Sequence, residues 1–166
     1  MAHLPSRSHL SQTVLFACRD NSGLSLMAEA LANHTQPHMR AFSAGLDAES
    51  PVDLAAVECL HLEQIPADGL SAKPLELFNL IGAPRVDAII SLLGSKQEAM
   101  HLEVERFAQR CRGTLLHRWH FEDIARIADM HDRRLAYRQL LPRLRAAIGA
   151  LGASAPLVPL STLSAA

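Results

Sequence analysis

TVLFACRDNSGLSLMAEAL, at residues 13–31, decides the fold predicted for this chain. Residues 13–18 form a short apolar and partly β-branched run, which is typical of a buried strand. A polar, turn-rich loop follows at residues 18–25, and residues 26–32 have the composition of a helix. The stretch therefore predicts a strand, a loop and a helix in direct succession.

The loop CRDNSGLS has the residues of an anion-binding nest. Between a strand and a helix N-terminus, several backbone N–H groups point inward and the helix dipole adds positive potential. The same field is expected to lower the pKa of the Cys18 thiol, with Ser25 donating a hydrogen bond to the thiolate. Asn21 is expected to hold the loop through side-chain bonds or a left-handed conformation, and Gly23 to allow a bend. The alternative is a buried strand-end cysteine followed by an ordinary turn.

The rest of the chain alternates strand and helix patterns. Further strands are predicted at residues 39–44, 86–92 and 114–119, and helices after Pro51, at 74–81, at 96–109 and along an apolar stripe at 137–151. Pro142 is expected to kink the last helix or to begin a new one. This alternation predicts a single α/β domain with a four-stranded parallel sheet flanked by helices on both faces. Ligands bind such sheets at the carboxyl ends of the strands, where Cys18 lies.

Length, net charge and cysteine content limit the range of possible functions. A length of 166 residues suits one domain, and a net charge of −1 favours neither a nucleic acid nor a membrane partner. Three widely spaced cysteines are a poor disulfide framework and favour the cytoplasm. No histidine or cysteine spacing predicts a metal site, and no nucleotide loop predicts a cofactor. We expect residues 1–12 to be a flexible leader, 13–151 the domain and 152–166 a poorly ordered tail.

These segments resemble the low-molecular-weight phosphotyrosine phosphatases and the thioredoxin-linked arsenate reductases. That family opens with an apolar strand, then C-x-x-N-x-C-R-S, then M-A-E-A. The likeness continues in order through FSAGL at 42–46, SAKPLELF at 71–78, VDAIISL at 86–92, RWHFEDIA at 118–125 and LAYRQLLPRLRAAI at 135–148.

The resemblance implies roles for individual residues. Cys18 would attack a phosphomonoester to form a thiophosphate intermediate, Asp123 would act as the general acid, and Ser25 would support the thiolate. The substrate oxyanion would be bound by the remaining loop residues, which are Arg19, Asp20, Asn21, Ser22, Gly23 and Leu24. The alternative for Asp123 is a helix or loop cap.

Two departures from the family pattern weaken the implied activity. The family's phosphate-gripping arginine falls on Leu24, which has no donor. Arg19 is the one cation inside the loop; it either replaces that arginine or, as we favour, points to solvent or pairs with an acid. The relay cysteines of the arsenate reductases fall on Leu93 and Met100, so thioredoxin-coupled arsenate reduction is not expected. Cys59 and Cys111 are expected to be structural or incidental thiols.

The sequence leaves the function open. One interpretation is weak phosphomonoester hydrolysis through Cys18. The alternative is an inactive module that binds an oxyanion or a phosphorylated protein, or a regulatory pseudophosphatase.

Overall fold

The computed structural model of the chain describes residues 11–153. The order of elements is β1 (Gln12–Cys18), α1 (Leu24–Thr35), β2 (Met39–Gly45), α2 (Leu54–Leu62), β3 (Ala88–Ser91), α3 (Glu98–Arg110), β4 (Leu115–Arg118) and α4 (Met130–Ala153). Two short 3₁₀ helices lie at Leu75–Asn79 and Ile124–Arg126. The strand, loop and helix predicted for residues 13–32 are therefore present in that order.

The four strands form one parallel sheet in the order β2-β1-β3-β4. β1 lies in the middle, pairing with β2 along its whole length and with β3 over Val14 to Ala17. This explains why its residues 14–17 form a continuous apolar run, since a central strand is covered on both faces. The predicted four-stranded parallel sheet is confirmed.

Helices cover both faces of the sheet, as predicted. One core joins alternate residues of β1, such as Val14 and Phe16, to α1, α2 and α4. The other core joins Leu15 and Ala17 to α3 and the first 3₁₀ helix. Because neighbouring strand residues point to opposite faces, the two cores are separated by the sheet itself. The carboxyl end of β1 is left open, and the loop of the candidate site lies there.

Some element boundaries differ from the sequence prediction. β3 and β4 are four residues each, shorter than predicted, and the predicted helix at 74–81 is a 3₁₀ turn. Pro142 lies inside α4, which begins twelve residues earlier, so the idea that it opens a new helix is wrong. Most of the predicted leader and tail lies outside the described residues, but Gln12 already belongs to β1 and α4 extends to Ala153.

None of the helices within residues 11–153 combines the length and the hydropathy that a membrane span requires.

Candidate active site

The loop between β1 and α1 runs from Cys18 to Gly23. Asn21 adopts a left-handed backbone conformation with a φ of 54°, one of the two arrangements expected from the sequence. Its side chain also donates to Ser25 Oγ at 2.8 Å and accepts from the Lys73 N–H at 2.7 Å. The asparagine therefore ties the turn of the loop to the first turn of α1 and to the segment before the first 3₁₀ helix.

The segment between β2 and α2 holds the main chain of the loop from outside. The N–H groups of Leu46 and Asp47 donate to the carbonyls of Cys18 and Arg19 at 3.2 and 2.7 Å. The Asp53 N–H donates to the carbonyl of Ser22 at 2.7 Å. Because these donors bind main-chain oxygens, the three bonds do not depend on the side chains of Cys18, Arg19 or Ser22.

Two glycines allow other groups to approach the loop closely. A Cβ atom on Gly45 would lie 2.8 Å from the backbone of both Asp20 and Asn21, so β2 can end against the loop only without a side chain there. A Cβ atom on Gly23 would lie 2.0 Å from the Tyr137 hydroxyl oxygen. The φ of Gly23 is −140°, which any residue can adopt, so its role is to admit the tyrosine rather than to permit an unusual bend.

The Cys18 thiol has the neighbours that a nucleophile would need. Cys18 Sγ lies 2.8 Å from Ser25 Oγ, and the Asn21 N–H donates to the sulfur at 3.2 Å. Since Ser25 Oγ accepts from the Asn21 amide, its own hydrogen is free to point at the sulfur. The strand end and the first turn of α1 thus converge on one atom.

The pKa of the Cys18 thiol nevertheless shifts upward, so the expected lowering of this pKa is wrong. Burial of the thiol is the largest cause, and the Asp20 carboxylate adds to it. The hydrogen bonds from Ser25 and Asn21 oppose the shift without reversing it. The sequence argument counted the helix terminus and the N–H groups but not the burial of the sulfur or the negative charge two residues away.

Arg19 is held between two carboxylates. Its Nε donates to Asp123 Oδ2 at 2.8 Å and its Nη2 to Asp20 Oδ2 at 2.8 Å, and the bond to Asp123 is the main reason that its pKa is raised. The favoured interpretation, in which this arginine pairs with an acid, agrees with the structure. The Arg19–Asp123 pair also joins two segments that are 104 residues apart in sequence.

The Asp20 carboxylate accepts a further hydrogen bond from within the loop. Its Oδ1 accepts the Ser22 N–H at 3.1 Å while its Oδ2 binds Arg19. This carboxylate is 6% exposed, and it therefore lies inside the loop rather than in solvent. A negatively charged group of the chain itself thus occupies two donors, on Arg19 and Ser22, that the resemblance assigned to an external oxyanion.

Asp123 lies beside the loop, where the resemblance placed an acid. It precedes the second 3₁₀ helix without making a side-chain cap bond, which argues against the capping alternative. Besides Arg19, its carboxylate faces Arg126 Nε at 3.3 Å and Gln97 Nε2 at 3.4 Å.

Leu24 contributes an apolar side chain to the site. It is 7% exposed, belongs to the hydrophobic core on its side of the sheet and, together with Cys18, lines a cavity of about 20 Å³. A cavity of this size holds about one water molecule. The relay positions carry apolar side chains that fill space, because Leu93 lines the same cavity and Met100 packs against the opposite core.

Sequence reasoning missed Gln97 and also Tyr137 and Asp53, which a hydrogen bond joins. Tyr137 is fully buried, lines the cavity and donates to Asp53 Oδ2 at 3.0 Å, while Asp53 also caps α2 by accepting the Ala55 N–H at 3.1 Å. The pKa of Tyr137 is raised by burial and by Asp53, so its hydroxyl stays protonated. The sequence pattern indicated only a core position for it, although its being the single tyrosine of the chain was a usable signal.

The other cysteines lie away from this site. Cys59 is buried within α2 and Cys111 follows α3, and both are free, as is Cys18. Among residues 11–153, no group of three or more histidine, cysteine, aspartate or glutamate side chains is placed to hold a metal ion.

Comparisons with known proteins agree with this architecture. Residues 13–148 match the family model of the low molecular weight phosphotyrosine protein phosphatases. The chain is similar to an arsenate reductase from Archaeoglobus fulgidus, with 23% identity, a TM-score of 0.64 and coverage of 85% of this chain and 99% of that one. No curated protein matches the sequence.

Two further solved structures are also similar. Vibrio vulnificus Wzb, in complex with benzylphosphonate, is 18% identical with a TM-score of 0.66, and the match covers 86% of this chain and 97% of that one. The tyrosine phosphatase Wzb from Escherichia coli K30, in complex with sulphate, is 16% identical with a TM-score of 0.66, covering 85% and 96%. At these identities the likeness shows the fold alone.

Proposed function

Because this chain belongs to the low molecular weight phosphotyrosine protein phosphatase family, we propose that it is a regulatory pseudophosphatase, which keeps the family's loop but does not hydrolyse phosphomonoesters at neutral pH. The observation that carries this proposal is the position of Asp20. Its carboxylate binds Arg19 and the Ser22 N–H next to the Cys18 thiol. The loop therefore supplies its own anion.

The charge of the cavity supports the proposal. Among the described residues that line it, Arg19 is the one cation, whereas Asp20 and Asp123 both carry carboxylates. A phosphomonoester dianion entering this space would meet two negative groups at close range, where like charges repel strongly. Leu24 offers no donor in compensation, and losing one such donor typically costs about 10²–10³ in rate.

The state of the nucleophile points the same way. Phosphoryl transfer would require the Cys18 thiolate to form an S–P bond as the P–O bond breaks, with a proton delivered to the leaving oxygen. Burial and Asp20 raise the pKa of Cys18, so the thiol keeps its proton at neutral pH. The oxygens of Asp123 that would deliver the proton already accept from Arg19 and Gln97.

A slow phosphatase is the second candidate, and one observation favours it. Cys18 Sγ still has Ser25 Oγ at 2.8 Å and the Asn21 N–H at 3.2 Å, which would stabilise a thiolate once formed. This function would require Arg19 to leave its carboxylates and bind phosphate. The partner would then be an oxyanion or a phosphorylated protein.

Hydrolysis of para-nitrophenyl phosphate by the purified chain between pH 5 and 8 tests the proposal. We expect the wild type and Cys18→Ser to give the same background rate, and titration with millimolar inorganic phosphate to leave the NMR signals of the loop unchanged. A rate that Cys18→Ser abolishes and Asp123→Asn lowers would establish the slow phosphatase instead. Saturable phosphate binding without turnover would establish an anion-binding module.

We also propose a cytoplasmic location. This proposal is supported by Cys18, Cys59 and Cys111, which are all free, because cysteines stay unpaired in a reducing compartment.

A further inference from the structure

A groove between α2 and α4 lies outside the candidate active site. Cys59 and Leu141 line its inner part, and Leu62, Leu135 and Pro142 line it towards solvent. The groove has a volume of about 660 Å³ and continues along α4 towards His131. We propose that this α2–α4 groove is the docking site for an amphipathic helix of a partner protein that carries a carboxylate beside its apolar face.

The apolar character of the groove is the first support. Leu62 is 69% exposed and Leu135 is 46% exposed, although leucine side chains are usually buried. They face each other from two helices that already pack together, so an added apolar side chain would cover both at once. Grooves of this kind recognise the apolar face of a third helix.

The length of the groove is the second support. Two exposed ion pairs link α2 to α4 along it: Glu58 with Arg134 and, at 3.0 Å, Glu63 with Arg145. Arg134 and Arg145 are eleven residues apart on one helix, which corresponds to about 16 Å. This is the length of three helical turns, enough for apolar anchors at positions i, i+4 and i+7 of a partner helix.

The charge of the groove selects the partner. Arg138 lies between the two ion pairs and lines the whole groove, and no ion pair among residues 11–153 involves it. The charged side chains lining the groove are thus two glutamates and three arginines, an excess of one positive charge. A second copy of this chain would bring the same excess, whereas an acidic helix would neutralise it.

Two designed peptides test the proposal on the full chain. One is an 18-residue amphipathic helix with leucine on one face and glutamate at its borders; the other has glutamine in place of each glutamate. Binding is measured by fluorescence anisotropy and mapped by NMR. We expect the acidic peptide to bind more tightly by about two- to fivefold, consistent with the gain from an exposed ion pair, with signal changes confined to α2 and α4.

Matched variants locate the contact. Arg138→Gln should remove the preference for the acidic peptide, and Leu62→Ser should weaken both peptides by about fivefold. The controls are Arg112→Gln, an exposed arginine beyond α3, and Leu80→Ser, a leucine that is 60% exposed elsewhere, and both should bind as the wild type does.

Three results would overturn the proposal: equal binding of the two peptides, equal effects of groove and control variants, or signal changes outside α2 and α4. Sedimentation equilibrium of the chain alone adds a fourth. A micromolar dimer that Leu62→Ser dissociates would make the groove an interface between copies.

Discussion

Replacing Gly23 with alanine should destabilise the protein through a residue more than a hundred positions away. The alanine Cβ would lie 2.0 Å from the Tyr137 hydroxyl oxygen and 2.8 Å from the ring carbon that bears it. Neither distance is tolerable, and Tyr137 is fully buried, so its ring must move. Moving the ring breaks the 3.0 Å hydrogen bond to Asp53, which caps α2.

The two consequences set the size of the effect. Overpacking a core usually costs about 1–3 kcal/mol, and a hydrogen bond to a charged group contributes about 1.5–3 kcal/mol. The free energy of unfolding should therefore fall by about 2.5–6 kcal/mol, a large part of the roughly 5–15 kcal/mol of a typical domain. The backbone of Gly23 is not left-handed, so no strain of that kind is added.

Urea unfolding followed by circular dichroism measures this change, and Tyr137→Phe supplies the critical background. Without the hydroxyl, the hydrogen bond is already absent and the closest contact is relieved, so Gly23→Ala should cost about 1.5–3 kcal/mol less there. Gly149→Ala is the control, because a Cβ atom at that helical position meets nothing within 4 Å and should stabilise by up to about 1 kcal/mol. Additive effects of the two loop-site substitutions would refute the reasoning.

Two further predictions concern the loop, and a third concerns the relay positions. Leu24→Arg alone should gain little activity because Asp20 would bind the new guanidinium. Leu24→Arg combined with Asp20→Gly should raise para-nitrophenyl phosphate hydrolysis by about 10² or more. Equal rates for the single and double variants would contradict this prediction. Because the folded-state pKa of Cys18 is raised, the free energy of unfolding should be fully retained below the unfolded-state pKa of about 8.5 and should fall as the pH rises from there through the higher folded-state pKa. Cys18→Ser should remove part of this slope in urea titrations at pH 7–10, and an unchanged slope would argue against the raised pKa. Thioredoxin-coupled arsenate reduction should stay at background because Leu93 and Met100 carry no thiol, and turnover would show that the relay lies elsewhere.

The local part of the site could be predicted from the sequence. The run of residues 13–18 has the composition of a central strand, and the loop residues follow it at short spacings. Cys18, Asn21 and Ser25 are therefore close in space because they are close in sequence. The same holds for the parallel sheet, since strands and helices alternate along the whole domain.

The distant part of the site could not be predicted in this way. Tyr137 and Asp53 meet across 84 residues, and the packing of α4 against α2 decides that contact. The pKa of Cys18 depends on how deeply β1 is buried and on where the Asp20 carboxylate turns, neither of which a motif encodes. The resemblance of RWHFEDIA at 118–125 did imply an acid at the site, but it did not indicate the pairing of Asp123 with Arg19.

The outside support of the loop has a consequence for protein engineering. Hydrogen bonds from the β2–α2 segment reach main-chain oxygens of Cys18, Arg19 and Ser22, and the Lys73 N–H binds the side chain of Asn21. The side chains at positions 19, 20, 22 and 24 contribute nothing to these four bonds. Those positions form a natural site for a randomised library, in which selection can search for new oxyanion or electrophile chemistry at Cys18 while the frame of the loop stays in place.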